Sequence, residues 1–196
     1  MLDDRVRSVL ARLEAEDDAD READLPLTER SLAVGPDAGR LLFALVAPNA
    51  GCEVLEIGGS RGYSTIWLAA AARILGGRVV SLEREPAKAE AWRRNIAEAG
   101  LGEWAELVEG DARESLVALE DGFDVVFLDA WKPDYKKFFD MVFPRLAPGG
   151  LFLAHNVLNK RSEMRPFLAT IEGRPDLYTT ILAPSGEGMS VSWKRR

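Results

Sequence analysis

The residues equipped for chemistry in this 196-residue chain fall into a few short clusters. Glu56-Ile57-Gly58-Gly59-Ser60-Arg61-Gly62-Tyr63-Ser64 is a glycine-rich turn. Glycines let the backbone bend sharply and approach a ligand closely, and a helix beginning there aims its first amides at that ligand. Glu83 lies twenty-one residues beyond Gly62, where a carboxylate can accept hydrogen bonds from both hydroxyls of a ribose. Gly110-Asp111-Ala112 brings a second carboxylate, suited to holding an adenine amino group, to capping a helix, or to both. Asp129-Ala130-Trp131-Lys132 and His155-Asn156 complete the set. A dinucleotide fingerprint would need glycines at 58, 60 and 63, but 60 and 63 are Ser and Tyr, so a nicotinamide dehydrogenase is excluded.

Each cluster follows a segment that must position it. EVLEI (53–57) reads as a strand ahead of the glycine turn, and YSTIWLAAAARI (63–74) as the helix after it. RVVSL (78–82) precedes Glu83, the weaker AELV (105–108) precedes Asp111, DVVFLD (124–129) ends on Asp129, and LFLAHN (151–156) ends on His155 and Asn156. Helices are expected from Pro36 through Leu41, Leu42, Leu45 and Val46, over 86–99 with Gly100 closing it, near 114–119, over 135–146, and over 162–172. Pro148-Gly149-Gly150 reads as a turn. LYTTILA (177–183) and MSVSW (189–193), joined by PSGEG, read as a hairpin. Strands alternating with helices predict a doubly wound, mostly parallel α/β sheet with helices on both faces and an antiparallel C-terminal hairpin. Such sheets bind ligands at the carboxyl ends of their strands, here just after residues 57, 82, 108, 128 and 154.

Composition narrows the classes further. Hydrophobic residues are 47% and charged residues 29%, the balance of a single soluble domain over 1–196. The longest apolar runs, 41–47 and 66–72, are too short to span a bilayer. A net charge of −7 argues against a nucleic-acid partner. The acidic N-terminus is unlike a signal peptide, and the lone Cys52, expected as a semi-buried small residue, rules out an intramolecular disulfide; the expected compartment is the cytoplasm. Val6, Val9, Leu10 and Leu13 make a short amphipathic helix, and the acidic stretch 14–24 after it reads as a solvated helix end and loop.

The turn E-x-G-x-x-x-G is the pattern of S-adenosylmethionine-dependent methyltransferases. With VLEIGGSRGYSTIWLA, FDVVFLDAWKPDY, LAPGGLFLAHNVL and the final PSGEGMSVSW, the chain from Ser31 onward resembles the cation-dependent O-methyltransferases, the group containing catechol and caffeoyl-CoA O-methyltransferases. The resemblance implies a seven-stranded Rossmann-like methyltransferase fold and transfer of a methyl group from S-adenosylmethionine to a hydroxyl of a small, catechol-like acceptor. It implies that Glu56, Gly58, Gly62 and Ser64 hold the methionine part of the cofactor, with Val34 as an apolar contact. Glu83 would take the ribose, and Asp111 with Ala112 the adenine. Asp129 would serve cofactor, metal and catalysis together, and Lys132 would accept the acceptor's proton.

The family's metal ligands are an Asp matching Asp129 and then an Asp-Asn pair. Asn156 matches, but position 155 is the chain's only histidine. Imidazole in place of a carboxylate suits softer metals than Mg²⁺. His155 thus implies a site retuned to a transition metal, a site without metal that relies on Lys132 and His155, or a buried structural histidine. The retuned site is the expectation. Trp131 could wall an aromatic acceptor or serve the core, and Glu187 resembles a family acid near the acceptor pocket. A homodimer is expected from the resemblance. The rival from another class is a domain that binds the cofactor without transferring its methyl group.

Overall fold

Glu53–Ile57 forms β1, with its last four residues buried, an interior strand paired in parallel on both edges. β2 (Arg78–Glu83) takes one edge of β1 and β4 (Phe123–Leu128) the other. β3 (Ala105–Glu109) extends the sheet beyond β2, and β5 (Leu146–His155) beyond β4. β7 (Met189–Lys194) runs antiparallel to β5, with β6 (Leu177–Leu182) outside it. The order is β3-β2-β1-β4-β5-β7-β6, so the chain reverses its direction of travel between β1 and β4, where a doubly wound sheet opens its ligand crevice. This computed structural model describes residues 2–26, 30–31 and 33–196.

Alternation along the central strands feeds two cores. Val54, Val79, Val125 and Phe127 face α1 (Asp4–Glu22), α2 (Pro36–Val46), α3 (Tyr63–Ala72) and α4 (Pro86–Glu98). Leu55, Ile57, Val126 and Leu128 face α5 (Ala112–Ala118), α6 (Tyr135–Val142) and α7 (Arg165–Gly173). All ten residues of α3 are buried, consistent with its apolar run 66–72 and with Ser64 and Thr65 finding buried hydrogen-bond partners. No described helix is long and apolar enough to cross a membrane.

Four expectations need correction. The acidic stretch is the mostly exposed end of α1, which runs through Glu22, and the turn after it, but not all of it is solvated: Asp17 is buried and Asp20 half-buried, and Arg12–Glu16 and Arg21–Asp17 pairs at 2.6 and 2.7 Å support the helix. The helix expected over 135–146 stops at Val142, and Pro144 lies in a 3₁₀ turn before β5. Pro148-Gly149-Gly150 is not a separate turn but part of β5, where the pairing slips between Phe123↔Leu146 and Val125↔Leu151 as a bulge. Cys52 is fully buried, and burial pushes its thiol up to about 12.

Candidate functional site

The glycine turn after β1 is shaped by contact with its neighbours. Gly58 has φ +99°, and a Cβ there would stand 2.3 Å from the Asp129 carbonyl oxygen. The turn therefore lies directly on the end of β4. Gly62, with φ +91°, is the left-handed residue that starts α3. The amide of Ser60 donates to Glu83 Oε2 at 2.7 Å, while Glu83 Oε1 accepts from the amides of Arg84 and Glu85 at 2.9 and 2.8 Å. Glu83 is 8% exposed, so its carboxylate is pinned at the mouth of the turn.

Glu56 looks the other way. It is fully buried and accepts from the hydroxyls of Ser64 at 2.6 Å, Ser81 at 2.5 Å and Thr65. Trp92 Nε1 donates to Thr65 at 2.8 Å. Burial pushes the Glu56 carboxyl up, opposed by these hydroxyls. In this structure Glu56 and Ser64 brace β1, β2, α3 and α4 together beneath the turn. Asp111 caps α5, accepting from the Arg113 amide at 2.9 Å and clamped by its guanidinium, which holds the carboxyl well below the usual range. Ala112 is the first residue of that helix.

The ends of β4 and β5 meet in a chain of polar side chains. Lys132 Nζ donates to Asp129 Oδ1 at 2.7 Å and to the Ala130 carbonyl at 3.0 Å. His155 Nδ1 lies 3.1 Å from Asp129 Oδ2. On the far side of the ring, Nε2 stands 3.3 Å from Glu187 Oε2 without the alignment of a hydrogen bond. The buried Tyr135 hydroxyl, 3.2 Å from both the Leu128 and His155 carbonyls, ties the two strand ends together. Burial pushes the Asp129 carboxyl up, but Lys132 and His155 outweigh it and hold Asp129 well below the usual carboxylate range. Asn156 follows with φ +63°, a left-handed conformation that Asn tolerates better than most residues. Trp131 is 62% exposed, so it is a surface residue rather than part of the core.

These residues do not fit a divalent cation. A shared cation needs its ligand atoms aimed at a common third point, whereas His155 Nδ1 is aligned on Asp129 Oδ2 itself. Asp129's other oxygen carries the Lys132 ammonium, and Asn156 offers only a neutral amide. Hard cations want several free carboxylate, carbonyl or water oxygens. Among the described residues no group of three or more His, Cys, Asp or Glu side chains is arranged to hold a metal ion.

A cleft of about 530 Å³ opens beside this cluster, lined by Glu14, Asp17 and Arg21 of α1, by Val34 and Gly35, and by Glu187 of the β6–β7 connection. Its floor is held by carboxylates that sequence reading missed. Asp20 Oδ2 accepts from both the amide and the hydroxyl of Ser31 at 2.7 Å, and Asp17 Oδ1 accepts from the Ala33 amide at 3.1 Å. Ser31 in turn accepts from Arg61 at 2.9 Å and its carbonyl accepts from Ser60 at 3.1 Å. The acidic helix thus fastens the segment carrying Val34 to the glycine turn. Tyr135 was also missed, though it closes the quoted FDVVFLDAWKPDY; nothing in local spacing says that its hydroxyl reaches two strand ends.

A sequence profile described as a methyltransferase domain matches residues 55–157. The chain is similar to a catechol O-methyltransferase from Niastella koreensis, 37% identical over 150 residues, 73% of this chain and 67% of that protein. A catechol O-methyltransferase from Mycobacterium tuberculosis is also 37% identical, over 69% of this chain and 60% of that protein. Among solved structures, an O-methyltransferase from Streptomyces achromogenes in complex with S-adenosylmethionine superposes with a TM-score of 0.79 at 32% identity, over 94% of this chain and 89% of that one. An O-methyltransferase from Bacillus cereus in complex with S-adenosylhomocysteine superposes with a TM-score of 0.79 at 30% identity, over 98% and 91%.

Proposed function

The chain belongs to the methyltransferase-domain family, and from that premise we propose that it transfers the methyl group of S-adenosylmethionine to a hydroxyl of a small aromatic, catechol-like acceptor. The observation that carries this reading is its likeness, along nearly the whole chain, to O-methyltransferases solved with the cofactor or its demethylated product. The relatives' names support the acceptor class. They do not favour the alternative of a domain that binds the cofactor without using it.

The pinned carboxylate of Glu83 is suited to accept from the ribose hydroxyls, since its position is fixed by three backbone amides before any ligand arrives. Gly58 lets the turn lie directly on the end of β4 and Gly62 lets α3 start beside Trp92, which shapes the backbone that would hold the methionine part; Val34 offers apolar contact, and Asp111 and Ala112 stand at the start of α5 where an adenine would lie. Glu56 and Ser64 act on the methionine part through the shape of the turn. S-adenosylmethionine supplies a methyl carbon already activated by its sulfonium. The protein's work is to bring the acceptor oxygen into line with that carbon, and the cleft beside Glu187 is of a size for a small acceptor.

In place of the proton-accepting role implied for Lys132, its contacts make the amine a donor to two oxygens, so we assign it to balancing and orienting Asp129. The test is transfer of labelled methyl from S-adenosylmethionine to matched phenols, catechols, anilines and thiophenols. Labelled ether formed only with the hydroxylated members supports the reading. Label on nitrogen or sulfur alone overturns it.

A further inference from the structure

Resting on that reading, we propose that Asp20 and Ser31 are positioning residues for the cofactor: acting through Ser60, they hold the Glu83 carboxylate where it receives the ribose. A chain of hydrogen bonds leaves α1, crosses to the glycine turn and ends on Glu83. The amide and hydroxyl of Ser31 both donate to Asp20 Oδ2 at 2.7 Å. The Ser60 hydroxyl donates to the Ser31 carbonyl at 3.1 Å, and the Ser60 amide donates to Glu83 Oε2 at 2.7 Å.

Ser60 is where such a chain is needed. Its φ of +47° is left-handed, a conformation that glycine takes freely and serine only at a cost. A residue held there persists when its surroundings over-determine it. Here the hydroxyl bond to Ser31 and the amide bond to Glu83 do so together. Releasing the hydroxyl lets Ser60 relax toward an ordinary backbone and carries its amide away from Glu83, which then keeps only the amides of Arg84 and Glu85.

Ser31 does not supply that restraint unaided. It is 5% exposed, and its hydroxyl is held between Asp20 and the Arg61 guanidinium, which donates to it at 2.9 Å. Arg61 Nη1 is itself 3.8 Å from Asp20 Oδ2, so serine and arginine share one carboxylate. A second tether from the same helix reaches the next residue of the turn. Arg12 donates to Asn95 Oδ1 at 2.8 Å, and Asn95 Nδ2 donates to the Arg61 carbonyl at 2.7 Å. α1 therefore grips Ser60 and Arg61, the two residues of 58–62 that are not glycine. Its acidic stretch serves the cofactor site without itself having to touch the cofactor.

A double-mutant cycle separates positioning from a purely structural role. S-adenosylhomocysteine is titrated by calorimetry into wild type, Ser31→Ala, Glu83→Ala and the double variant, each as the full chain. Ser31→Ala removes one donor to Asp20 and the acceptor of Arg61 but leaves the carbonyl that Ser60 uses. It is expected to weaken binding about 3–10-fold where Glu83 is present, the equivalent of one hydrogen bond, and by less than about twofold where it is absent. Equal losses in the two backgrounds, or no loss in either, would overturn the proposal, because the serine would then act on the fold alone or not at all. Asp20→Asn, which keeps the shape of the side chain, is carried through the same cycle in case Ser31→Ala does not fold, and the same pattern is expected of it. A wild type that binds no S-adenosylhomocysteine, or a Glu83→Ala variant that binds it as tightly as wild type, would remove the cofactor reading itself and this inference with it.

Discussion

Lys132 Nζ donates to Asp129 Oδ1 at 2.7 Å, and only 16% and 14% of their side-chain surfaces are exposed. The pair occupies the turn after β4, directly against the glycine loop, so its charge balance bears on everything bound there.

Replacing Lys132 with Met leaves one Asp129 oxygen without its donor. We expect kcat to fall about tenfold, the equivalent of one charge-assisted hydrogen bond, with cofactor affinity within about twofold of wild type. Lys132→Arg should recover much of the rate. A loss of about 10²–10⁴-fold that arginine does not rescue would mean that the lysine itself takes the proton.

The two hydrogen bonds from Ser31 to Asp20 predict a pH-dependent contribution to stability. The Ser31 hydroxyl and amide hold the Asp20 carboxyl below its ordinary value despite partial burial. A lowered folded-state pKa gives stability that is complete above the unfolded value near ~3.9 and is lost as pH falls through the folded one. Asp20→Asn should therefore unfold about 1–2 kcal/mol more easily at pH 7. The difference should shrink as urea titrations are repeated down toward pH 2. A gap independent of pH would show that the aspartate acts by shape alone.

Tyr135→Phe keeps the ring, which packs edge-on against Phe167 at 5.5 Å, and removes only the hydroxyl that spans β4 and β5. We expect a loss of about 1 kcal/mol in stability and a fall in kcat with unchanged cofactor affinity, because Asp129 and His155 would no longer be held in register. Thermal melts and steady-state kinetics on the same variant read the two effects separately. Full activity would show that the strands alone fix the pair.

Much of this was legible in the sequence because local signals and the sheet agreed. β1 falls on residues 53–57 as its apolar run indicates, and Glu83 stands at the end of β2 as expected, where it accepts from the Ser60 amide. What escaped was non-local. The carboxylates of Asp17 and Asp20 look like solvated charges until Ser31 and Ala33 hydrogen-bond to them. The turn-forming Pro148-Gly149-Gly150 was absorbed into β5 because pairing with β4 tolerates a bulge. Glu56 belongs to a cofactor motif in sequence, yet three hydroxyls from α3 and β2 claim its carboxylate, and no spacing rule reports a cross-strand hydroxyl such as Ser81.

The central claim is that the carboxyl ends of β1 and β2 hold S-adenosylmethionine with Glu83 on its ribose. Calorimetric titration of S-adenosylhomocysteine into wild type and Glu83→Ala tests it most directly, since it needs no acceptor. The account predicts one molecule bound per chain and a loss of roughly 1.5–3 kcal/mol, about 10–150-fold in affinity, in the variant. Equal affinity in the two proteins, or no binding to wild type, would contradict it.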